Sequence, residues 1–273
     1  MTQPSTLDFE RVRLTLDDGV AVLALNHVEV LNALSPEMLG GIASALDVVE
    51  DDARGVRCLV LTGEGRAFCT GANLQGRGRA DADAPPLKRR AGVTLETHFH
   101  PVLRRLRDLH CPIVSAVNGP AAGAGMSVAL MGDLVFASAS AYFLQAFRRI
   151  GLVPDCGSTW LLPRLIGRAR ALELSLLGEK LPARTALEWG LVNRVVDDER
   201  LMPEALGVAR NLADGPTVAL ALTRQLYWES PDRSYEDQLD LEARLQRRAG
   251  ATDDFAEGVQ AFLAKRPARF AGR

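Results

Sequence analysis

The stretch that decides the fold is Gly65-Arg66-Ala67-Phe68-Cys69-Thr70-Gly71-Ala72-Asn73-Leu74, which follows an apolar segment typical of a buried strand. A second glycine-rich turn follows the next such segment and runs Asn118-Gly119-Pro120-Ala121-Ala122-Gly123-Ala124-Gly125-Met126. Small residues let a ligand approach the main chain closely. Amides in the first turn of a helix lack intrahelical partners and can hold a developing oxyanion. Taken alone, a glycine-rich turn of this kind more often marks a tight turn or close helix packing.

The segments around the two turns alternate between strand and helix patterns. Residues 10–16 alternate polar and apolar side chains, Asp17-Asp18-Gly19 is typical of a turn, and 20–25 predicts a returning strand. Ser35-Pro36 is typical of a helix start, with serine as the N-cap. Repetition of strand and helix predicts an α/β fold with an at least partly parallel sheet. Further strands are expected at 56–62, 112–117 and 133–138, and further helices at about 93–109 and 124–131.

The C-terminal part of the chain has a different pattern. From about Glu199 it contains apolar residues at helical spacing only, with breaks at Asp214-Gly215-Pro216 and Ser230-Pro231. We therefore expect a core domain over residues 1–200 and a helical region over 201–273, whose apolar stripes can pack on the core or on another subunit. Residues 81–90 carry two prolines and dense charge, which predicts a surface loop. The four C-terminal helices are predicted at 199–213, 216–228, 234–248 and 254–264.

Composition excludes several classes of protein. The 273 residues are 47% hydrophobic, enough for a large core, and the formal net charge of −2 gives no electrostatic footprint for nucleic acid or an anionic membrane. The four cysteines are scattered singly, without the spacing of zinc or thioredoxin-type sites. No segment approaches the roughly 18 apolar residues of a membrane span, and no targeting signal is apparent at the start. A cytoplasmic location is expected, with no metal.

Six stretches of the sequence, taken in order, resemble motifs of one known family. The first turn resembles the signature G-x-A-F-C-x-G-A-D-L of the crotonase superfamily, the enoyl-CoA hydratase/isomerase proteins, and residues 114–125 resemble its partner A-x-x-G-x-A-x-G-G-G. The resemblance implies a ClpP/crotonase-like fold of repeated ββα units with a C-terminal helical region. It also implies assembly as a homotrimer or a dimer of trimers. Supporting similarities lie at 31–34, 151–155, 186–196 and 257–266.

The resemblance also implies a site for an acyl-CoA thioester. The backbone amides of Ala72 and Ala124 would form an oxyanion hole for the thioester carbonyl. Phe262 and Lys265 would approach the nucleotide end, from the same subunit or a neighbouring one, although Lys265 can equally be a solvated lysine. Coenzyme A would arrive as part of the substrate, so no separate cofactor is expected. The adenine and pantetheine path would be lined by Val30, Ala33, Thr70 and Leu74.

The residues at the family's catalytic positions differ from those of a typical hydratase. Hydratases of the family use two glutamates, and the corresponding positions here are Ser127 and Phe147. Asp155, in a stretch that resembles the epoxyphenylacetyl-CoA isomerase-like branch, is the carboxylate that remains. One carboxylate with a raised pKa can remove a proton from one carbon and return it to another. The alternative role for Asp155 is capping of the helix that starts near Gly157.

These observations favour isomerisation of an enoyl-CoA double bond or a related ring-opening isomerisation, with Asp155 as acid and base. Two alternatives stay open. The first is an enoyl-CoA hydratase of fatty-acid or aromatic-acid degradation that uses another carboxylate. The second is a non-catalytic acyl-CoA-binding subunit, which the two absent glutamates make credible. A Rossmann dehydrogenase is disfavoured because neither glycine turn has the G-x-G-x-x-G fingerprint.

Overall fold

The computed structural model describes residues 4–74 and 91–273. The loop predicted at 81–90 therefore lies outside the described residues. The strands are β1 Ser5–Phe9, β2 Val12–Asp17, β3 Val20–Leu25, β4 Cys58–Gly63, β5 Ile113–Val117, β6 Ala121–Ala122, β7 Leu134–Ser138, β8 Tyr142–Leu144, β9 Lys180–Pro182 and β10 Arg194–Val196. The helices are α1 Pro36–Val49, α2 Ala91–Thr94, α3 His100–Asp108, α4 Ala124–Ala129, α5 Ser158–Leu177, α6 Ala183–Trp189, α7 Leu201–Ala213, α8 Thr217–Glu229, α9 Tyr235–Ala249 and α10 Asp253–Leu263.

The main sheet has seven strands in the order β1-β2-β3-β4-β5-β7-β10. The predicted hairpin is β2 and β3, joined through Asp18 and Gly19, which both have positive φ as a tight hairpin turn requires. From β3 to β10 neighbouring strands run parallel, which confirms the α/β class. The strand expected from residue 10 begins at Val12, because Glu10 and Arg11 form the turn after β1, a strand that was not predicted.

Helix α1 forms where its cap and apolar spacing predicted it. The Ser35 hydroxyl accepts a hydrogen bond from the Met38 amide at 3.3 Å, and Pro36 occupies the first helical position. The two adjacent glycines in this helix have different environments. A Cβ on Gly41 would lie 2.2 Å from the Glu10 carbonyl oxygen, so glycine lets the helix rest on the β1–β2 turn, whereas Gly40 faces open space.

The helix predicted at about 93–109 contains a single π-helical segment, Leu95–Phe99, between α2 and α3. Such segments widen the helix by one residue and often occur at functional sites. A second, three-stranded sheet in the order β6-β8-β9, which was not predicted, carries the second glycine turn. A short 3-10 helix, Ala146–Ile150, follows β8.

The C-terminal helices were predicted at nearly their observed positions. Helix α7 lies on one face of the main sheet, where Ala205 and Ala209 pack against Val60, Val114 and Phe136. Helix α8 is attached to the core by a buried ion pair: the Arg224 Nε atom lies 2.5 Å from the Asp133 Oδ2 atom. The division into a core domain at 1–200 and a helical trimerisation region at 201–273 stays a prediction.

Candidate active site

The two glycine-rich turns are hydrogen-bonded to each other. The Cys69 amide donates to the Pro120 carbonyl at 3.0 Å, and the Ala122 amide donates to the Cys69 carbonyl at 2.9 Å. A Cβ on Gly125 would lie 2.3 Å from the Cys69 carbonyl oxygen, so a glycine in α4 is needed for this close approach. Residues more than 50 positions apart in the sequence are thereby fixed against one another.

The Ala72 amide is left without an acceptor by a local parallel pairing. The Leu34 amide donates to the Gly71 carbonyl and the Asn73 amide donates to the Leu34 carbonyl, both at 2.7 Å. Because successive amides of an extended chain alternate in direction, the N–H of Ala72 turns away from Leu34. No carbonyl or side chain among residues 4–74 and 91–273 accepts a hydrogen bond from it.

The Ala124 amide is the first of helix α4 and has no intrahelical partner. Its N-cap is Gly123, with φ 52° and ψ −126°, a backbone conformation that only glycine adopts readily. In the part of the chain that the structure describes, the Ala124 amide also lacks an acceptor. A Cβ placed on Gly71 would lie 3.8 Å from the Ala124 nitrogen, so the turns that carry the two free amides are in contact.

A cavity of about 250 Å³ opens beside these amides. Its walls come from both glycine turns, from the π-helical segment and from the 3-10 helix Ala146–Ile150, and they are mostly apolar. A carboxyl group, Asp155, also faces it. The lining residues are Thr70, Gly71, Ala72, Leu74, Thr94, Leu95, Phe99, Gly123, Ala124, Ala146, Phe147, Arg149, Ile150, Leu152 and Asp155.

Asp155 presents a partly unsatisfied carboxyl group to the cavity. Its Oδ1 atom is buried and has no hydrogen-bond partner among the described residues. Burial raises the pKa of the Asp155 carboxyl, while the neighbouring Cys156 thiol and His100 act to lower it. The alternative role as a helix cap is wrong: α5 has Gly157 as its N-cap with no side-chain bond, and only the Asp155 carbonyl accepts from Ser158.

The two positions that correspond to the family's glutamates hold side chains without acid–base function. Ser127 is fully buried in α4, and its hydroxyl lies 3.4 Å from the Asp155 carbonyl oxygen. Phe147 lines the cavity, and its Cζ atom lies 3.7 Å from the place where a Cβ on Gly123 would be. The phenyl ring thus occupies space beside the second glycine turn and leaves no carboxylate there.

The residues predicted to contact coenzyme A fall into two groups. Thr70 and Leu74 line the cavity, and the Thr70 hydroxyl donates to the carbonyls of Val30 and Leu31 at 3.4 and 3.2 Å. Ala33 is next to them, with its amide donating to the Val30 carbonyl. Phe262 and Lys265, by contrast, do not line this cavity; the Phe262 side chain is 82% exposed at the end of α10. Their contact with the nucleotide stays a prediction.

Two larger concavities lie away from the free amides. One, of about 890 Å³, is lined by the end of α3 and by α8 and α9, and the other, of about 690 Å³, contains the stacked rings of Trp160 and Trp228. Neither is lined by Ala72, Ala124 or Asp155, so the cavity beside the free amides is smaller than both of them. Within residues 4–74 and 91–273, no cluster of three His, Cys, Asp or Glu side chains is arranged to hold a metal ion.

The geometry agrees with a match to a family model, Enoyl-CoA hydratase/isomerase, over residues 15–273. The chain belongs to this family. The 1,2-epoxyphenylacetyl-CoA isomerase of Escherichia coli strain K12 is 48% identical over 94% of this chain and 97% of its own length. A Rhodobacter capsulatus protein named "Probable enoyl-CoA hydratase" is 41% identical over 98% of this chain and 100% of its own length.

Solved structures of the family share the fold. An enoyl-CoA hydratase/isomerase from Cupriavidus metallidurans CH34 superposes with a TM-score of 0.88 at 33% identity, covering 97% of this chain and 98% of that one. The predicted crotonase fold is therefore confirmed. None of the helices in the described ranges is both long enough and apolar enough to cross a bilayer.

Most of the apolar wall of the site was not predicted from the sequence. Leu95, Phe99, Ile150 and Leu152 line the cavity, but none was proposed as a site residue. Leu95 and Phe99 are four positions apart, a spacing equally typical of a helix that packs on the core. Only the fold brings the π-helical segment and residues 146–152 to the same cavity.

Proposed function

We propose that this enzyme isomerises an acyl-CoA thioester by moving a double bond or opening a ring conjugated with the thioester. The observation that carries the proposal is the position of Asp155. Its carboxyl group shares one small, mostly apolar cavity with the free amides of Ala72 and Ala124. A base, a pair of oxyanion donors and an apolar chamber are the parts that enolate chemistry requires.

In the proposed reaction, the Asp155 carboxylate takes a proton from a carbon of the acyl group that is acidified by the thioester. The electron pair of the broken C–H bond moves into the thioester, and negative charge collects on its oxygen. The amides of Ala72 and Ala124 donate hydrogen bonds to that oxygen. Protonated Asp155 then returns the proton to a different carbon, the double bond shifts, and the enzyme is regenerated without any co-reactant.

The raised pKa of Asp155 fits both halves of this cycle. A carboxylate in water is a weak base, and burial makes it a stronger one by disfavouring its charged form. The same burial slows loss of the proton to solvent while the enolate exists. A catalytic carboxyl works best when its pKa approaches the operating pH, and the direction of the shift is the required one.

The coenzyme A moiety would be held by the residues next to the first glycine turn. Thr70 and Leu74 lie at the cavity, and Val30 and Ala33 lie beside Thr70, which supports their assignment to the pantetheine path. Phe262 and Lys265 would reach the nucleotide in an assembled trimer or dimer of trimers. Light scattering of the purified protein with and without an acyl-CoA measures that assembly, and a monomer under both conditions would contradict it.

A hydratase is the second candidate, supported by the name of the Rhodobacter capsulatus relative. It is disfavoured here because Phe147 and Ser127 replace the carboxylates that activate and protonate water in the family's hydratases. A non-catalytic acyl-CoA-binding subunit is a third candidate, but it gives no reason for an unpaired, buried carboxyl oxygen at the free amides.

The test measures, for two substrates, the absorbance of a double bond conjugated with the thioester. We expect an unconjugated 3-enoyl-CoA to gain that absorbance on incubation with the enzyme, and a conjugated 2-enoyl-CoA not to lose it. Asp155→Asn should lower kcat by about 10²–10⁴ because the base is gone, while the exposed Asp240→Asn control on α9 retains full activity. Loss of absorbance from the conjugated substrate, with hydroxyacyl-CoA formed, would replace the proposal by hydration.

A second measurement tests the use of a single shielded base. In deuterated water, an Asp155 carboxyl screened from solvent should return part of the original proton, so some product carries no deuterium. Complete deuterium incorporation at one position would contradict transfer by one enclosed carboxyl group.

A further inference from the structure

The loop at residues 27–34, between β3 and α1, contains two successive left-handed residues that are not glycine. Leu31 has φ 55° and Asn32 has φ 56°. Leucine rarely adopts this conformation, whereas asparagine tolerates it because its short amide can hydrogen-bond locally. Such a conformation persists only where the surroundings hold it in place. The contacts of the Asn32 side chain are the ones that hold it here.

The carboxamide of Asn32 is fully buried and joins its own loop to the start of the first glycine turn. Its Oδ1 atom accepts a hydrogen bond from the His27 amide at 2.8 Å, and the Asn32 amide donates to the His27 carbonyl at 3.0 Å. Its Nδ2 atom donates to the carbonyls of Glu64 and Ala67 at 2.9 and 2.8 Å. Both N–H groups of the carboxamide are therefore used on the neighbouring segment.

A second asparagine holds the same segment from the other glycine turn. The Nδ2 atom of Asn118 donates to the carbonyls of Gly65 and Ala67 at 2.9 and 3.4 Å, and its Oδ1 atom accepts from the Gly63 amide at 3.2 Å. The packing is close, since a Cβ on Gly63 would lie 2.8 Å from the Asn32 Nδ2 atom. The start of the first glycine turn is thus fixed by carboxamides from two separate loops.

The main chain around Asn32 holds the remainder of the first glycine turn. The Leu31 carbonyl accepts a hydrogen bond from the Thr70 amide at 3.2 Å. Two positions after Asn32, Leu34 makes the parallel pairing that leaves the Ala72 amide without an acceptor in the described ranges. A displacement of Asn32 would therefore reach the Ala72 amide through two residues of main chain.

We propose that Asn32 is a positioning residue for the oxyanion hole: its carboxamide fixes the loop at 27–34 against the first glycine turn and thereby sets the direction of the Ala72 N–H. The inference rests on the proposed function of Ala72 as a donor to the thioester oxygen. One competing role is purely structural. The other is support of the coenzyme A path, because Val30 and Ala33 belong to the same loop.

The experiment compares Asn32→Gly with Asn32→Asp. Glycine removes the carboxamide and adopts the left-handed conformation without strain. Aspartate keeps an acceptor for the His27 amide but places a second oxygen against the Glu64 and Ala67 carbonyls, where donors are needed. Since a donor that is misplaced by about 1 Å can cost about 10² in rate, both variants should lower kcat by roughly that factor. KM should change little, because the lost interaction develops in the transition state.

Asn193→Gly is the matched control. The Asn193 side chain also bonds to the main chain, accepting from the Val135 amide at 2.7 Å, but it is not among the residues that line the cavity. Loss of that bond should lower the melting temperature and leave kcat unchanged.

A spectroscopic measurement reports on the oxyanion hole without turnover. The probe is the saturated analogue of the 3-enoyl-CoA substrate, labelled with ¹³C at the thioester carbonyl, and infrared difference spectra give its C=O stretching frequency. Hydrogen bonds from the two amides should lower this frequency in the wild-type complex. The Asn32 variants should show a smaller shift, whereas Asp155→Asn and Asn193→Gly should keep the wild-type shift.

The outcomes separate this inference from the proposed function. If Asp155→Asn retains full activity, the proposed acid and base fails, and the carbonyl frequencies still decide the role of Asn32. If the wild-type frequency is not lowered, Ala72 is not an oxyanion donor and the inference fails with it. Asn32 variants with a higher KM but the wild-type kcat and frequency would assign Asn32 to the coenzyme A path. A lower melting temperature alone would make it a structural residue, and either result would overturn the inference.

The aspartate variant decides the question if Asn32→Gly does not fold. It keeps the bond to the His27 amide and loses only the two donors. A folded Asn32→Asp enzyme with the wild-type kcat and carbonyl frequency would by itself contradict the role of the carboxamide.

Discussion

Two partly buried aspartates in this protein have opposite surroundings. Asp133 lies where α8 meets the core, and its Oδ2 atom accepts bonds from the Ile113 amide at 2.7 Å and the Arg224 guanidinium at 2.5 Å. Asp155 faces the cavity, with no guanidinium bonded to it and with one oxygen unpartnered among the described residues. Burial acts to raise the pKa of both carboxyl groups, but only at Asp133 does a bonded guanidinium act against it.

The polar groups around these two aspartates show the same contrast. Arg224 is itself saturated, donating also to the carbonyls of Leu109 and Leu106 at 2.6 and 3.1 Å. At the cavity, the amides of Ala72 and Ala124 have no acceptor in the described ranges. Unpaired buried groups cost stability. The polar groups around Asp133 bond to one another, whereas those at the cavity lack protein partners. This difference points to the cavity as the place where a ligand would supply the hydrogen-bond partners.

The largest expected effect is on stability at the paired aspartate. Asp133→Ala would leave the Arg224 charge, 5% exposed, without its partner. Removal of one member of such a pair typically costs about 3–5 kcal/mol. Urea unfolding followed by circular dichroism measures it. A loss of stability below about 1 kcal/mol would show that the Asp133–Arg224 pair contributes little to folding. The contrast between Asp133 and Asp155 would then have no basis.

The next effect concerns the free amides. Gly123→Ala puts a side chain at φ 52° and ψ −126°, where its Cβ has ordinary space, 3.7 Å from Phe147, but the backbone is strained. We expect the turn to rotate, so that the Ala124 N–H no longer points at the thioester oxygen. Because removal of one oxyanion donor lowers kcat by about 10²–10³, we expect a loss of that size.

Gly40→Ala is the matched control for that substitution. Gly40 lies in α1 with open space around its Cα, so alanine should raise stability by about 0.5–1 kcal/mol and leave kcat unchanged. A Gly123→Ala variant that is folded and fully active would show that the free amide of Ala124 is not used in the reaction.

The smallest expected effect is the change in thermal stability caused by Asp155→Asn. Because the folded-state pKa of Asp155 lies above its unfolded value, its ionised form opposes folding at neutral pH. The contribution of protonated Asp155 to the free energy of unfolding is fully present at acid pH and is lost as the pH rises through the folded-state pKa. The asparagine variant should therefore unfold at an equal or slightly higher temperature at pH 7, and this advantage should disappear as the pH is lowered. A clearly lower melting temperature at pH 7 would mean that Asp155 is a structural residue like Asp133.

The sequence by itself determined the elements whose signals are local. Ser35-Pro36 and the apolar spacing after it specify α1, Asp18-Gly19 specifies the hairpin, and the two glycine turns specify close main-chain approach. The motifs also identified Ala72, Ala124 and Asp155, which the structure brings to one cavity. Strand β1 was missed because a five-residue edge strand with three exposed residues carries little apolar signal.

Only the tertiary structure decided which surfaces meet. The distinction between a capping and a cavity-facing Asp155 depends on where the assembled chain places one side chain. The apolar wall formed by Leu95, Phe99, Ile150 and Leu152 joins segments about 50 residues apart. Local propensity acts over a few residues, whereas burial and hydrogen-bond satisfaction are properties of the assembled chain, so only the folded structure shows which polar groups are left for a ligand.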